Sequence, residues 1–199
     1  MSDKKTLFAA IDAQRDALCS MADQIFDHPE YEGEEVFASG LLTDYLRAQG
    51  FEVEMGVGGF KTAFRATYKR GEGGPKLGIL CEYDALRNLG HGCGHHMQGP
   101  GCLGAAVALK NMDGAEPFEL IIYGTPAEET FGSKVQMLER GCFRELDVAF
   151  MMHGGPNTCT DVKCLAQKSF NVTFHGKRAH AALAPEKGRS AFDAMLVAF

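Results

Sequence analysis

Three short apolar runs constrain this chain more than any other feature: LGILCEYD (77–84), PFELIIYG (117–124) and LDVAFMMH (146–153). Each has the length of a buried strand, and helix-like segments lie between them, so the pattern predicts an α/β sheet with helices on its faces. Each run also leads into metal-ligating side chains. The first is followed by His91-Gly92-Cys93-Gly94-His95, the second by Glu128-Glu129, and the third ends in His153. Chemistry collects at the carboxyl ends of strands in α/β sheets. A thiolate, imidazoles and a carboxylate together suit zinc or manganese, and a second carboxylate can take a proton from water.

The remaining elements follow from periodicity. Leu7, Ile11, Leu18, Met21 and Ile25 share one helical face, which predicts a single amphipathic helix over residues 5–27, ended near Pro29. A second helix is expected over 34–48 with Gly50 as its stop. FEVEM and TAFRATYK read as strands joined by GVGG, and 102–112 and 131–140 as helices. After His153 the texture turns loop-like. KSFNVTFHG (168–176) alternates like a strand, with Phe170, Val172 and Phe174 on one face, and GRSAFDAMLVAF begins a helix that is still apolar at Phe199. An apolar helix without a C-cap predicts that the chain is the N-terminal portion of something longer.

With 199 residues, 45 % of them hydrophobic, the chain can build a good-sized core. The formal charge of -6 and the lack of a dense basic patch argue against nucleic acid or an anionic membrane as partner. No stretch approaches membrane-spanning length, and seven irregularly spaced cysteines read as reduced thiols, so a cytoplasmic location is expected.

Cys93 and His95, separated by one glycine, point to the same side of an extended backbone. Glu128 and Glu129 diverge, so one can bind metal while the other reaches water. Each signal alone has a plainer explanation: a glycine-rich loop with a buried thiol, an acidic pair at a helix start, a packed strand-end histidine. It is their common place at strand ends that favours the metal. Asp84 is a candidate partner for a ligand imidazole. His91 and His96 are assigned supporting roles, and His28 and His175 structural ones. Gly99-Pro100-Gly101-Cys102-Leu103-Gly104 matches a dinucleotide fingerprint, but FELIIYG ends without the acidic residue that fingerprint needs, so helix–sheet packing explains these glycines better.

LCEYDAL, GHGCGHH, TPAEET, MMH and GKRAHAA, in this order over roughly residues 77–185, resemble the M-20 peptidase family of amidohydrolases. The likeness is to the branch that holds p-aminobenzoyl-glutamate, N-acyl-amino-acid and indole-acetyl-amino-acid hydrolases and related dipeptidases. It implies helices on both faces of a mixed sheet in a zinc-peptidase-like catalytic domain (1–166), then the first strand and helix of an incomplete α+β lid (167–199) that dimerises. It implies two divalent ions, Zn or Mn, in the full-length enzyme. Cys93 would bridge them, His95 and His153 would complete the first site, and Glu129 would bind the second. Glu128 would be general base and acid on the bridging water, and His180 would stabilise the oxyanion from a neighbouring subunit. The substrate would be a small N-acyl amino acid, aminobenzoyl-glutamate or dipeptide.

Two departures from the family stand out. His96 occupies a position that is commonly Asp or Asn, and the family's last metal ligand lies far beyond Phe199. The expectation is therefore at most one tightly held metal in these 199 residues, with little or no hydrolysis. Two alternatives are an inactive truncated metal-binding fragment and an amidase with Cys93 as nucleophile.

Overall fold

In the computed structural model, which describes residues 4–199 except 161, 164 and 169, the chain divides into two compact units, Met1–Pro156 and Asn157–Phe199. The first is built on a five-stranded mixed sheet made of β1 (Glu52–Met55), β2 (Phe64–Arg70), β3 (Lys76–Cys81), β4 (Phe118–Gly124) and β5 (Val148–Met151), in the order β1-β2-β4-β3-β5. β2 pairs antiparallel with both β1 and β4, whereas β3 runs parallel to β4 and to β5. Parallel neighbours need crossovers. Helix α4 (His95–Lys110) lies between β3 and β4, and α5 (Glu128–Phe131) and α6 (Ser133–Glu139) between β4 and β5. The three apolar runs are therefore the three adjacent parallel strands, and their carboxyl ends share one edge of the sheet.

Both sheet faces are covered, which is why β4 reads as a continuous apolar run rather than an alternating one. Leu120 and Ile122 belong to a core with Met21, Ile25, Leu42, Leu46 and Leu103 from helices α2 (Arg15–Asp27), α3 (Val36–Ala48) and α4. Ile121 and Tyr123 face the other way, onto Met137 of α6 and the half-buried Phe143 and Leu146.

The predicted 5–27 helix is in fact two, α1 (Lys4–Asp12) and α2. Gln14 marks the break: its side-chain Nε2 donates to Ala10 O at 2.8 Å, and its side-chain Oε1 accepts from the Tyr45 hydroxyl at 2.7 Å. A tertiary bond to α3 thus competes with helix continuation. Helix α4 begins seven residues before the predicted start, running through Gly99, Pro100 and Gly101, which local propensity disfavours. Burial accounts for it, since a Cβ at Gly104 would sit 2.5 Å from Leu18 and one at Gly99 3.0 Å from Leu42. The glycines serve close packing.

Gly124 ends β4 opposite Phe64, and a Cβ there would lie 2.2 Å from that ring. Phe64 is fully buried and stacked on Tyr83 at 5.9 Å, so it has little room to yield. Gly124→Ala is expected to cost about 2 kcal/mol, read as a lower urea midpoint. An unchanged midpoint would mean that the ring moves freely.

The second unit contains an antiparallel bridge between Lys177 and Arg189, a 3-10 turn at Pro185–Lys187, and α7 (Ala191–Ala198), capped by Ser190 Oγ accepting from Asp193 N at 3.0 Å. The strand predicted over 168–176 is not formed among the described residues; Ser169 lies outside them. Among the described residues no strand pairs with residues 170–176, and without a partner an alternating pattern cannot satisfy its backbone groups. Among the described residues, no helix is long and apolar enough to cross a membrane.

Candidate metal centre

The site is assembled where β3, β4 and β5 end. Thr125, directly after β4, donates from its backbone N to Cys81 O at 2.8 Å, tying the ends of β4 and β3 together. Beyond β3 the chain runs through Glu82, Tyr83 and Asp84, all buried. Gly94 then takes φ 89°, a left-handed conformation that suits glycine, and sets His95 as the first residue of α4. Asp84 faces His95 and the loop after β4 at once. Its Oδ1 lies 3.0 Å from His95 Nδ1, and its Oδ2 accepts from Glu129 N at 2.9 Å.

These contacts define the tautomers. His95 Nδ1 faces two acceptors, Asp84 Oδ1 and Asp84 O at 3.1 Å, so it carries the proton and leaves Nε2 bare. His153 Nδ1 likewise faces Gly154 O at 2.8 Å, and its Nε2 lies 3.5 Å from Cys93 Sγ. Cys93, His95 and His153 each present a ligand atom within 4.8 Å of the others, and Glu82, His95 and Glu128 do the same. Glu129 Oε1 is 3.8 Å from His95 Nε2.

The donor set fits divalent metal. Three buried atoms that converge here have no hydrogen-bond partner: Glu82 Oε2, His95 Nε2 and Glu129 Oε1. Leaving such atoms unsatisfied costs about 1–3 kcal/mol each. Four carboxylates (Glu82, Asp84, Glu128 and Glu129) share the region with one lysine, Lys134, which pairs with Glu82 Oε1. Burial draws the His95 pKa down, but Asp84, Glu82 and Glu129 outweigh it and the net shift is upward. The field that would protonate His95 is the field that would draw in a cation.

The thiol of Cys93 is pushed up to about 12, first by burial and then by its hydrogen bond to Glu129 and the charges of Glu129, Glu128 and Glu82. A thiolate nucleophile is therefore disfavoured at this position unless a cation stabilises it. Glu128 is raised by burial and by Glu82 and Glu129, against the lowering influence of Lys134 and His95. A half-buried carboxyl held above its ordinary range is suited to proton transfer.

The other histidines stand outside both ligand groups. His91 is buried beside His96, ring centroids 5.2 Å apart, with Phe26 5.0 Å from His96; burial and the neighbouring His96 draw His91 down to about 4. His28 stacks on Phe37 at 4.4 Å. In the second unit, His180 Nδ1 accepts from Ala182 N at 3.2 Å and Leu183 N at 3.1 Å, which leaves its proton on Nε2.

Sequence reasoning missed three residues. Glu82 is a charged residue inside the LCEYD run, a signal that was there to be read. Gln98 accepts from Glu82 N at 3.2 Å and donates to Met152 O, joining the chain after β3 to the residue before His153. Glu35, fully buried, accepts from Gly33 N at 2.8 Å, Thr62 Oγ1 at 3.1 Å and Ala127 N at 3.2 Å. Neither Gln98 nor Glu35 has a sequence signal, because their partners are distant in the chain.

The parallel α/β edge thus gathers Cys, His and Glu donors with bare imidazole nitrogens, a donor set that suits a divalent metal. Residues 80–194 match peptidase family M20/M25/M40, and the chain belongs to that family. It is 35 % identical over 208 residues to the mouse Xaa-Arg dipeptidase, covering 98 % of this chain and 48 % of that protein. To a p-aminobenzoyl-glutamate hydrolase polypeptide of Escherichia coli K12 it is 36 % identical over 210 residues, covering 94 % of this chain and 42 % of the relative. Among solved structures, a Bacillus subtilis dinuclear metal-binding peptidase of the M20 family superposes with a TM-score of 0.65 at 25 % identity, over 73 % of this chain and 44 % of that one. The chain spans about half the length of the curated relatives it matches.

Proposed function

We propose that this chain carries the metal-binding part of an amidohydrolase that cleaves a dipeptide, an N-acyl amino acid or aminobenzoyl-glutamate. The observation that carries this reading is the convergence of three unpartnered buried donor atoms with Cys93 and His153 at adjacent strand ends. The substrate class rests on the names of the relatives, dipeptidases and an aminobenzoyl-glutamate hydrolase. Cys93, His95 and His153 would hold one zinc or manganese ion, and Cys93 with Glu129 would contribute to a second. Bound there, divalent metals supply the Lewis acidity that makes water a nucleophile at neutral pH.

The chain's own residues supply the rest. Asp84 holds His95 by its Nδ1 proton and the Glu129 backbone by its other oxygen, so one carboxylate orients two ligands. Glu128 takes the proton of the attacking water on its carboxylate and returns it to the leaving amine nitrogen. His180, with its proton on Nε2, is equipped to donate to a carbonyl oxygen that gains charge. The second unit leaves Leu165, Phe170, Leu183 and Phe192 exposed, which supports a homodimer through a lid formed by residues 167–199. A cytoplasmic location belongs to the same reading.

The test is metal stoichiometry. After dialysis against a chelator, the 199-residue chain is expected to take up one tightly held Zn²⁺ or Mn²⁺ and to gain several degrees in thermal midpoint, and Cys93→Ala with His153→Ala should remove both effects. A chain that binds neither ion above background would overturn the reading. Cys93 as nucleophile would instead predict chelator-insensitive activity.

A further inference from the structure

We propose that Glu82 is itself a ligand, presenting Oε2 to the metal that His95 holds while Lys134 occupies its other oxygen. The inference rests on the metal-hydrolase reading above and extends it to a residue outside the ligand set carried over from the family. The Glu82 side chain is only 2 % exposed, yet Oε2 has no hydrogen-bond partner. It lies 3.2 Å from His95 Nε2 and 4.0 Å from His153 Nε2. With the single proton of neutral His95 on Nδ1, two lone pairs face each other across that 3.2 Å, an arrangement that a cation held between them relieves. Two donors on one metal, each about 2.0–2.1 Å from it in tetrahedral array, stand roughly 3.3 Å apart. The observed separation is that of a coordination edge.

Pairing with Lys134 alone does not account for this. Its ion pair with Lys134 uses Oε1 alone, and a buried carboxylate with one oxygen unsatisfied is costly. Its backbone is also tied to the chain that carries His153. The Glu82 backbone N donates to Gln98 Oε1 at 3.2 Å, and the same Gln98 amide donates to Met152 O beside His153. One side chain thereby holds Glu82 and His153 in register. A hard carboxylate added to the thiolate and imidazoles shifts the site toward manganese relative to zinc.

The experiment uses the whole chain, metal-free and then titrated with Mn²⁺, Zn²⁺ or Co²⁺. For Glu82→Gln the expected result is at least a tenfold loss of Mn²⁺ affinity, a smaller loss for Zn²⁺, and a Co²⁺ visible band that shifts and intensifies as coordination number falls. Affinities within twofold of wild type and an unchanged Co²⁺ band would overturn the proposal and leave Glu82 as a partner of Lys134 only. Lys134→Met provides a second reading if Glu82→Gln folds poorly. It should be destabilised when metal-free and recover on adding Mn²⁺, because the metal neutralises the carboxylate; no recovery would also overturn the proposal. Wild-type chain that binds no metal would remove the underlying reading as well, whereas wild-type binding that Glu82→Gln leaves unaltered would remove this inference alone.

Discussion

Glu128→Gln, assayed in a chain extended to the length of its relatives, is expected to lower kcat by about 10³-fold while bound metal stays near the wild-type level. The substitution keeps the shape of the side chain and removes only its ability to take a proton. The carboxyl is held above its ordinary range by burial and by Glu82 and Glu129. A base works deprotonated, so activity should rise with pH through that raised value, and this acid limb of the kcat/KM profile should vanish in the Gln variant. Turnover within a few-fold of wild type would end the assignment of Glu128 as base. Loss of metal together with activity would make it a ligand instead, as its place beside Glu82 and His95 would permit.

Glu35→Ala should destabilise the first unit by about 3 kcal/mol, although the hydrogen bonds of Glu35 go to Gly33, Thr62 and Ala127 rather than to an assigned ligand. It would strand the N–H groups of Gly33 and Ala127 and free the Thr62 hydroxyl. Ala127 has φ 54°, left-handed for a residue with a Cβ, and Glu128 follows it directly. Releasing Ala127 should therefore loosen both glutamates and weaken metal binding. Glu35→Gln should cost less than about 1 kcal/mol. Its Oε1 keeps both backbone bonds and its Nε2 can donate to Thr62 Oγ1, whose hydrogen then turns from residue 35 to Gly33 O, 3.1 Å away.

The two Glu35 variants also separate by pH. Burial, the largest influence, raises the Glu35 pKa; its hydrogen bonds lower it and the charge of Asp84 raises it further. A carboxyl raised on folding binds its proton more tightly in the native state. Wild-type stability should accordingly fall as pH climbs from the unfolded value near 4.5 through the folded pKa, then level off. Glu35→Gln lacks this loss, so it should gain on wild type across that window in thermal melts. Parallel profiles would show that folding leaves the Glu35 pKa unaltered.

Much of the fold was legible because its signals are local. Continuous apolar runs identified β3, β4 and β5, and turn residues bounded α3, where Gly50 takes φ 79°. The failures share a cause. The break at Gln14 depends on Tyr45 and Ala10, the early start of α4 on Leu42 and Leu18 packed against glycine, and the missing 168–176 strand on a pairing partner. Each is decided by a neighbour from elsewhere in the chain or by the lack of one. At the site, Cys93, His95 and His153 stood out by residue type, while Glu35 and Gln98 look like ordinary polar residues until their partners are known.

The sequence by itself determined which side chains have the chemistry of metal ligands and that they follow buried strands. Residue type decides ligand chemistry, and apolar periodicity decides where strands stop. Only the tertiary structure decided which of these groups meet, which nitrogen of each imidazole is bare, and that Glu82 and Glu35 belong to the arrangement. Those properties arise from distances across the parallel edge β4-β3-β5 and from burial, which turns an ordinary carboxylate oxygen into an atom that requires a partner.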